Sequence, residues 1–261
     1  MLKVNGARLW SSLMEMAAVG GTPKGGVRRL ALTEEDAAGR ALFARWCEEA
    51  GMTLNTDRVG NLFARRAGKS AEARPVASGS HLDTQPEGGR FDGVYGVLAA
   101  LEVVRTLNDA GIETDKPIEI VVWTNEEGAR FTPAMLGSAA FAGVMPLEQA
   151  LGARDAQGIS VADALAATGY AGERAIPGAP FDAYFEAHIE QGPVLEAHAT
   201  TIGVVTGALG QRWYDVVLTG MEAHAGPTPM ELRRDALLPA AELVGIANRI
   251  ALERPPHARA S

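Results

Sequence analysis

Apolar positions along the chain follow two periodicities, and the switches between them predict alternating helices and strands. Over residues 33–50, Leu42, Phe43, Trp46, Cys47 and Ala50 recur at helical spacing. Thr33 can cap that helix, Glu34, Glu35 and Asp36 suit its positive end, and Gly51 ends it. Two strands follow, at 52–57 and 61–66, with Gly60-Asn61 as the turn between them. RPVASGS at 74–80 reads as a short buried strand. Val94, Val97, Leu98, Leu101, Val104 and Leu107 predict a second helix over 93–110, with Gly111 behind it. PIEIVVWT at 117–124 is apolar almost throughout, as in a strand covered on both faces.

Strand, helix, strand in that order is a βαβ unit. The expected fold class is therefore α/β, a mostly parallel sheet sandwiched by helices, with a right-handed crossover. Residues 147–180 are rich in Ala and Gly and predict a helix around 161–168, and FDAYFEAHIE at 181–190 predicts another sheet strand. From Thr201 the pattern changes. TIGVVTG and QRWYDVVLTG alternate as strands do, and a helix is expected over roughly 232–252. This change marks a boundary between a larger domain, residues 1–206, and the start of a smaller α+β domain, residues 207–261.

Hydrophobic residues make up 47% of the 261, which allows a sizeable core and excludes a disordered chain. Asp and Glu total 32 against 24 Lys and Arg, a net charge of −8 that repels phosphate backbones and argues against nucleic acid as a partner. No window approaches the roughly 20 apolar residues of a bilayer span. The first residues lack the apolar core and cleavage site of a secretory leader, so a cytoplasmic location is expected. The single cysteine, Cys47, excludes internal disulfides and a cysteine-based zinc cage, and on an apolar helix face it reads as a small core residue. Any metal must be held by His, Asp and Glu.

Three chemically unusual segments sit just past predicted strands: SHLDT at 80–84, NEEG at 125–128 and EAHIEQG at 186–192. Ligands of open α/β sheets bind beyond the carboxyl ends of strands, so these loops should converge on one edge. GGRFDGVYG at 88–96 adds Asp92 immediately before a helix N-terminus. Convergence would bring together His81, His188, Asp92, Glu126 and Glu127. Carboxylates so clustered repel one another unless a cation neutralises them, and N and O donors suit a hard-to-borderline divalent ion. Singly, each residue has a plainer reading, as a loop histidine, a turn aspartate or a solvated glutamate pair. The joint arrangement favours a metal site.

SHLDT, GGRFDGVYGVLAALEVVRTL, VVWTNEEGARF with AMLGSAAFAG, FEAHIEQGPVLE and GQRWYDVVLTGMEAHAGPTPM together resemble the amidase, hydantoinase/carbamoylase family of the dimetal aminoacylase/carboxypeptidase superfamily. TQPEGGRFDGVYGVL and TNEEGARFTPAMLGS are most similar to N-carbamoyl-L-amino-acid hydrolases. The resemblance implies a metallo-exopeptidase-like catalytic domain and a lid domain that forms a homodimer. It implies two divalent ions, zinc first, with manganese, cobalt or nickel as alternatives. His81 and His188 would hold one ion, Asp92 would bridge both, and Glu127 would hold the other. Glu126 would be the general base, and the Asp83 side chain would orient the His81 ring. Gln191 would contact substrate, and His224 would reach a partner subunit's active site to stabilise the oxyanion. Otherwise His224 is a turn histidine before Gly226 and Pro227.

The implied reaction is hydrolysis of the carbamoyl C–N bond of an N-carbamoyl-L-amino acid to amino acid, ammonia and carbon dioxide, with allantoate or β-ureidopropionate as alternative ureido substrates. The family's last metal ligand is a histidine near the C-terminus of a longer chain, and His257 in PPHARAS has neither its setting nor its position. An Asn and an Arg that grip the substrate carboxylate would also fall beyond Ser261. The expectation is a chain that corresponds to the first part of a family member and binds at most one metal. A reading of another class follows from it: a non-catalytic fragment.

Overall fold

Strands with apolar side chains on both faces need cover on both sides, and this requirement organises the larger part of the protein. The computed structural model describes residues 2–261, in two units that divide between Gln191 and Gly192. In the first unit the elements run α1 (Gly6–Ala18), α2 (Glu34–Glu49), β1 (Thr53–Thr56), β2 (Leu62–Arg66), β3 (Val76–His81), α3 (Val94–Asp109), β4 (Ile118–Trp123), α4 (Leu136–Phe141), α5 (Leu147–Gly152), α6 (Val161–Thr168) and β5 (Ala183–Phe185). The strands form one sheet in the order β1-β2-β4-β3-β5. It is mixed. β3 runs parallel to β4 and β5, whereas β2 is antiparallel to both β1 and β4.

Alternation along the central strands divides the core. Leu62, Ala64, Ile120 and Val122 pack with Phe43, Trp46, Leu98 and Leu101 of α2 and α3. Phe63, Val121 and Trp123 face the other way, onto Phe141 of α4. Cys47 is fully buried in the first cluster, and burial pushes its thiol pKa up, away from the reactive thiolate. Local signals explain where the helices start. Thr33 Oγ1 accepts from Asp36 N, and Ser160 with Asp163 forms a reciprocal capping box on α6. The α1 segment, weighed in sequence only as a possible leader, is a helix capped by Asn5 that packs Leu13 and Met16 into the first cluster.

The 181–190 strand expectation shrinks to β5, Ala183–Phe185. In the second unit the elements are α7 (Val194–Ala197), a 3-10 turn over Met230–Leu232 and α8 (Leu237–Leu252). Alternation predicts strands at 201–207 and 211–220, but among the described residues no strand forms there. Alternation marks a segment able to half-bury itself. A strand also needs a neighbour to receive its backbone hydrogen bonds, and these segments run without one, leaving Val204, Trp213 and Val217 exposed. No helix of the described residues is long and apolar enough to cross a membrane.

Two buried polar groups brace the sheet end that carries the candidate site. Arg40, on α2, is fully buried with Asp36 (2.9 Å) and donates to the Gly60 carbonyl (2.7 Å) and Thr124 Oγ1 (3.2 Å). Asp57 accepts from Val59 N, Asn61 N and Asn61 Nδ2. Asn61 in turn takes Thr124 N (2.9 Å) and donates to the Gly137 carbonyl (2.9 Å), so the β1–β2 turn holds the end of β4.

Removing one partner of a buried ion pair strands the other charge. Arg40→Met should therefore lower unfolding stability in urea by about 3–5 kcal/mol, and adding Asp36→Asn should recover part of that loss. Burial raises the Asp57 carboxyl from 3.8 to about 6, against its hydrogen bonds and Arg174. The folded state thus favours the protonated form, so this contribution to stability is complete below about pH 4 and disappears as pH rises through about 6. Thermal unfolding at pH 4, 5 and 6 should show wild-type stability falling relative to Asp57→Asn across that interval.

Candidate metal centre

The β3–β4 register pairs His81 with Trp123, so the two strands finish side by side and their loops leave the sheet at one level. Asp83 joins those loops. Its buried carboxylate accepts the backbone N–H of Glu126 (Oδ1, 3.3 Å) and of Glu127 (Oδ2, 3.2 Å). Burial pushes the Asp83 carboxyl up to about 6, with His81 and these N–H groups acting in the opposite direction. Asn125 makes the turn possible. It sits at φ 52° and clamps its own loop through Nδ2 to the Phe131 carbonyl (2.7 Å) and Oδ1 from Phe131 N (3.3 Å).

His81 is buried, with Nδ1 at 2.8 Å from the Asp83 main-chain carbonyl. The Asp83 carboxylate lies 3.8 Å from that nitrogen, so main chain rather than side chain orients the ring. A carbonyl partner makes Nδ1 the donor and leaves Nε2 with its lone pair toward the site. Burial disfavours the charged imidazole, but Asp83 and Glu126 outweigh it and raise the His81 pKa. Gly93, at φ 65°, is required here, because a Cβ would stand 2.5 Å from the imidazole.

Six of the residues singled out in the sequence come together: His81, Asp92, Glu126, Glu127, His188 and Gln191. Donor atoms of His81, Asp92 and Glu127 all lie within 4.8 Å of one another. His188 Nε2 stands 3.4 Å from Asp92 Oδ1. That oxygen is buried and has no hydrogen-bond partner, while Oδ2 accepts from Gln191 Nε2 at 2.8 Å. Glu126 Oε2 is 3.3 Å from His81 Nε2, and burial raises the pKa of its carboxyl, with His81 opposing and Glu127 and Asp92 reinforcing the shift. An orphaned carboxylate oxygen among imidazoles and further carboxylates fits a divalent cation by charge and by donor type.

His224 lies in the second unit, exposed, with Nδ1 accepting from Gly226 N (3.0 Å). Sequence reasoning missed Gln85, which donates to Glu127 Oε2 (2.9 Å), and left Glu186 without a role although it opens the EAHIEQG motif.

Residues 77–258 match the model of Peptidase family M20/M25/M40. The chain is 51% identical over 256 residues to an N-carbamoyl-L-amino-acid amidohydrolase of Rhizobium meliloti, covering 98% of this chain and 62% of that protein. It is 46% identical over 246 residues to an N-carbamoyl-L-amino acid amidohydrolase of Geobacillus stearothermophilus, covering 92% and 60%. Among solved structures, a hydantoinase/carbamoylase family amidase from Burkholderia multivorans matches with a TM-score of 0.88 at 60% identity, over 98% of this chain and 62% of that one. The chain thus spans about three fifths of the length of the relatives it matches. Because the family model covers most of the chain and includes every clustered donor, this protein belongs to Peptidase family M20/M25/M40.

Proposed function

We propose that this chain carries the metal centre of an amidohydrolase that cleaves the carbamoyl C–N bond of N-carbamoyl-L-amino acids, releasing amino acid, ammonia and carbon dioxide. The observation that carries the reading is the buried, unpartnered Asp92 Oδ1 among His81, Glu127 and His188. The substrate class rests on the names of the relatives. His81, Asp92 and His188 would hold one divalent ion, and Asp92 with Glu127 would serve a second. Zinc suits the N and O donors best, ahead of manganese, cobalt and nickel. Such an ion, when bound, polarises a carbonyl oxygen and acidifies water.

Glu126 is the general base. Its Oε2 takes a proton from the attacking water and later delivers it to the departing nitrogen. Its raised pKa, caused first by burial, strengthens its hold on that proton between the two transfers. Asp83, through the two loop N–H groups, keeps Glu126 and Glu127 beside His81. Gln191 holds Asp92 and has one further amide proton to offer a substrate carbonyl or carboxylate. Residues 207–261 are read as the start of a lid and dimerisation domain, with His224 stabilising the oxyanion in a partner subunit.

In a full-length family member carrying this chain, Glu126→Gln should keep the metal content of the wild type while lowering turnover by about 10²- to 10⁴-fold, because the amide cannot accept the proton. Mass spectrometry of bound metal and release of amino acid are the two readouts, and near-normal turnover would remove Glu126 from the base role. Asp92→Asn should lose metal as well as turnover, since the amide brings no charge to offset the cation. On that full-length form, across a panel of N-carbamoyl-L-amino acids, allantoate and β-ureidopropionate, the first class should have the highest kcat/KM.

A further inference from the structure

The position of His188 has no explanation in the sheet itself. The β3–β5 ladder pairs Val76 with Ala183, Ala77 with Tyr184 and Ser78 with Phe185, and ends there. Continued, that register would set His188 level with His81, but the backbone bonds that would enforce it are not made. A side-chain contact takes over at that point. Ser80 Oγ, adjacent to His81, donates to Glu186 Oε1 at 2.6 Å. The other oxygen, Oε2, accepts from Tyr184 Oη at 2.8 Å, and Tyr184 Oη accepts from Trp123 Nε1 at 3.0 Å. Both oxygens of Glu186 are thereby engaged, each by a group on the sheet.

Hydrogen bonds to a carboxylate are short and strong, so this one can stand in for the missing ladder. The α3 helix closes the arrangement from the other side. A Cβ on Gly96 would lie 2.8 Å from the Ala187 carbonyl and 2.8 Å from Ser80 Cβ, so only glycine lets the residue before His188 seat there.

We propose that Ser80 and Glu186, backed by Tyr184 and Trp123, form a clasp that fixes His188 opposite Asp92, making Glu186 a positioning residue for the metal centre. The proposal rests on the reading of His188 as a ligand. It deepens that reading by naming what replaces the sheet once backbone pairing stops. Glu186 itself is engaged through both oxygens and acts on the ion through His188.

Cobalt(II) titration of the metal-free 261-residue chain tests this, because the visible d–d spectrum reports the ligand set independently of turnover. Glu186→Ala should weaken cobalt binding about 10- to 100-fold, the range typical of groups that orient a ligand, and shift the spectrum toward that of His188→Ala. Glu186→Gln, which keeps one acceptor for Ser80, should recover part of the affinity. Thermal unfolding of the metal-free variants should match wild type, separating positioning from loss of fold. If Glu186→Ala fails to fold, Ser80→Ala and Tyr184→Phe carry the same expectation in weaker form. Wild-type affinity and spectrum in these variants, with weakened binding in His188→Ala, would overturn the clasp alone. Wild-type binding in His188→Ala, or no cobalt binding by the wild-type chain, would overturn the ligand reading beneath it.

Discussion

A carboxylate removed from water at the end of a parallel strand pair is the interaction on which the candidate centre depends. Asp83 is buried, and a charge in that position is unfavourable unless hydrogen bonds meet it. The N–H groups of Glu126 and Glu127 do so, and they are available only because Asn125 turns the chain through a left-handed conformation just after β4. One side chain therefore fixes the spacing of two loops that are far apart in sequence. The Asp83 main-chain carbonyl meanwhile sets the tautomer of His81, so a single residue governs both a candidate ligand and the loop bearing the candidate base. Loss of that carboxylate would leave two loop N–H groups unsatisfied beside a histidine with less reason to carry charge.

The packing beneath explains why such a costly arrangement holds. β2 and β4 bury alternate side chains in separate clusters, so the central sheet is packed on both faces. Buried polar groups then tie the loops to that sheet. Arg40 reaches from α2 to Thr124, and Asn61 reaches from the β1–β2 turn to the same residue. The Thr124 backbone is thus held from one side and its hydroxyl from another, immediately before the turn that presents Glu126. Gly93 and Gly96 do the corresponding work on α3, admitting the His81 ring and the Ala187 carbonyl to distances that any side chain would forbid. The carboxylates above this frame, Asp92, Glu126, Glu127 and Glu186, are held close despite their mutual repulsion, the electrostatic condition in which a cation is stabilising.

The amino-acid sequence by itself determined the features that arise from near neighbours. The helices expected at 33–50, 93–110 and 161–168 form as Glu34–Glu49, Val94–Asp109 and Val161–Thr168, because caps, terminal glycines and an apolar stripe act within a few residues of one another. The candidate donors were equally legible, since His81, Glu126, Glu127 and His188 stand in short motifs past strands and Asp92 stands just before a helix. Tertiary structure decided whatever needed a distant partner. The segments at 201–207 and 211–220 carry a strand pattern and form no strand, because neither meets a neighbour that takes up its backbone hydrogen bonds. The His81 ring is oriented by a carbonyl rather than the neighbouring carboxylate, because that carboxylate is drawn to N–H groups more than forty residues along the chain. Glu186 acquired its partners in the same way: its bond to Ser80 exists only where β5 lies against β3, and no local pattern around either residue encodes that meeting.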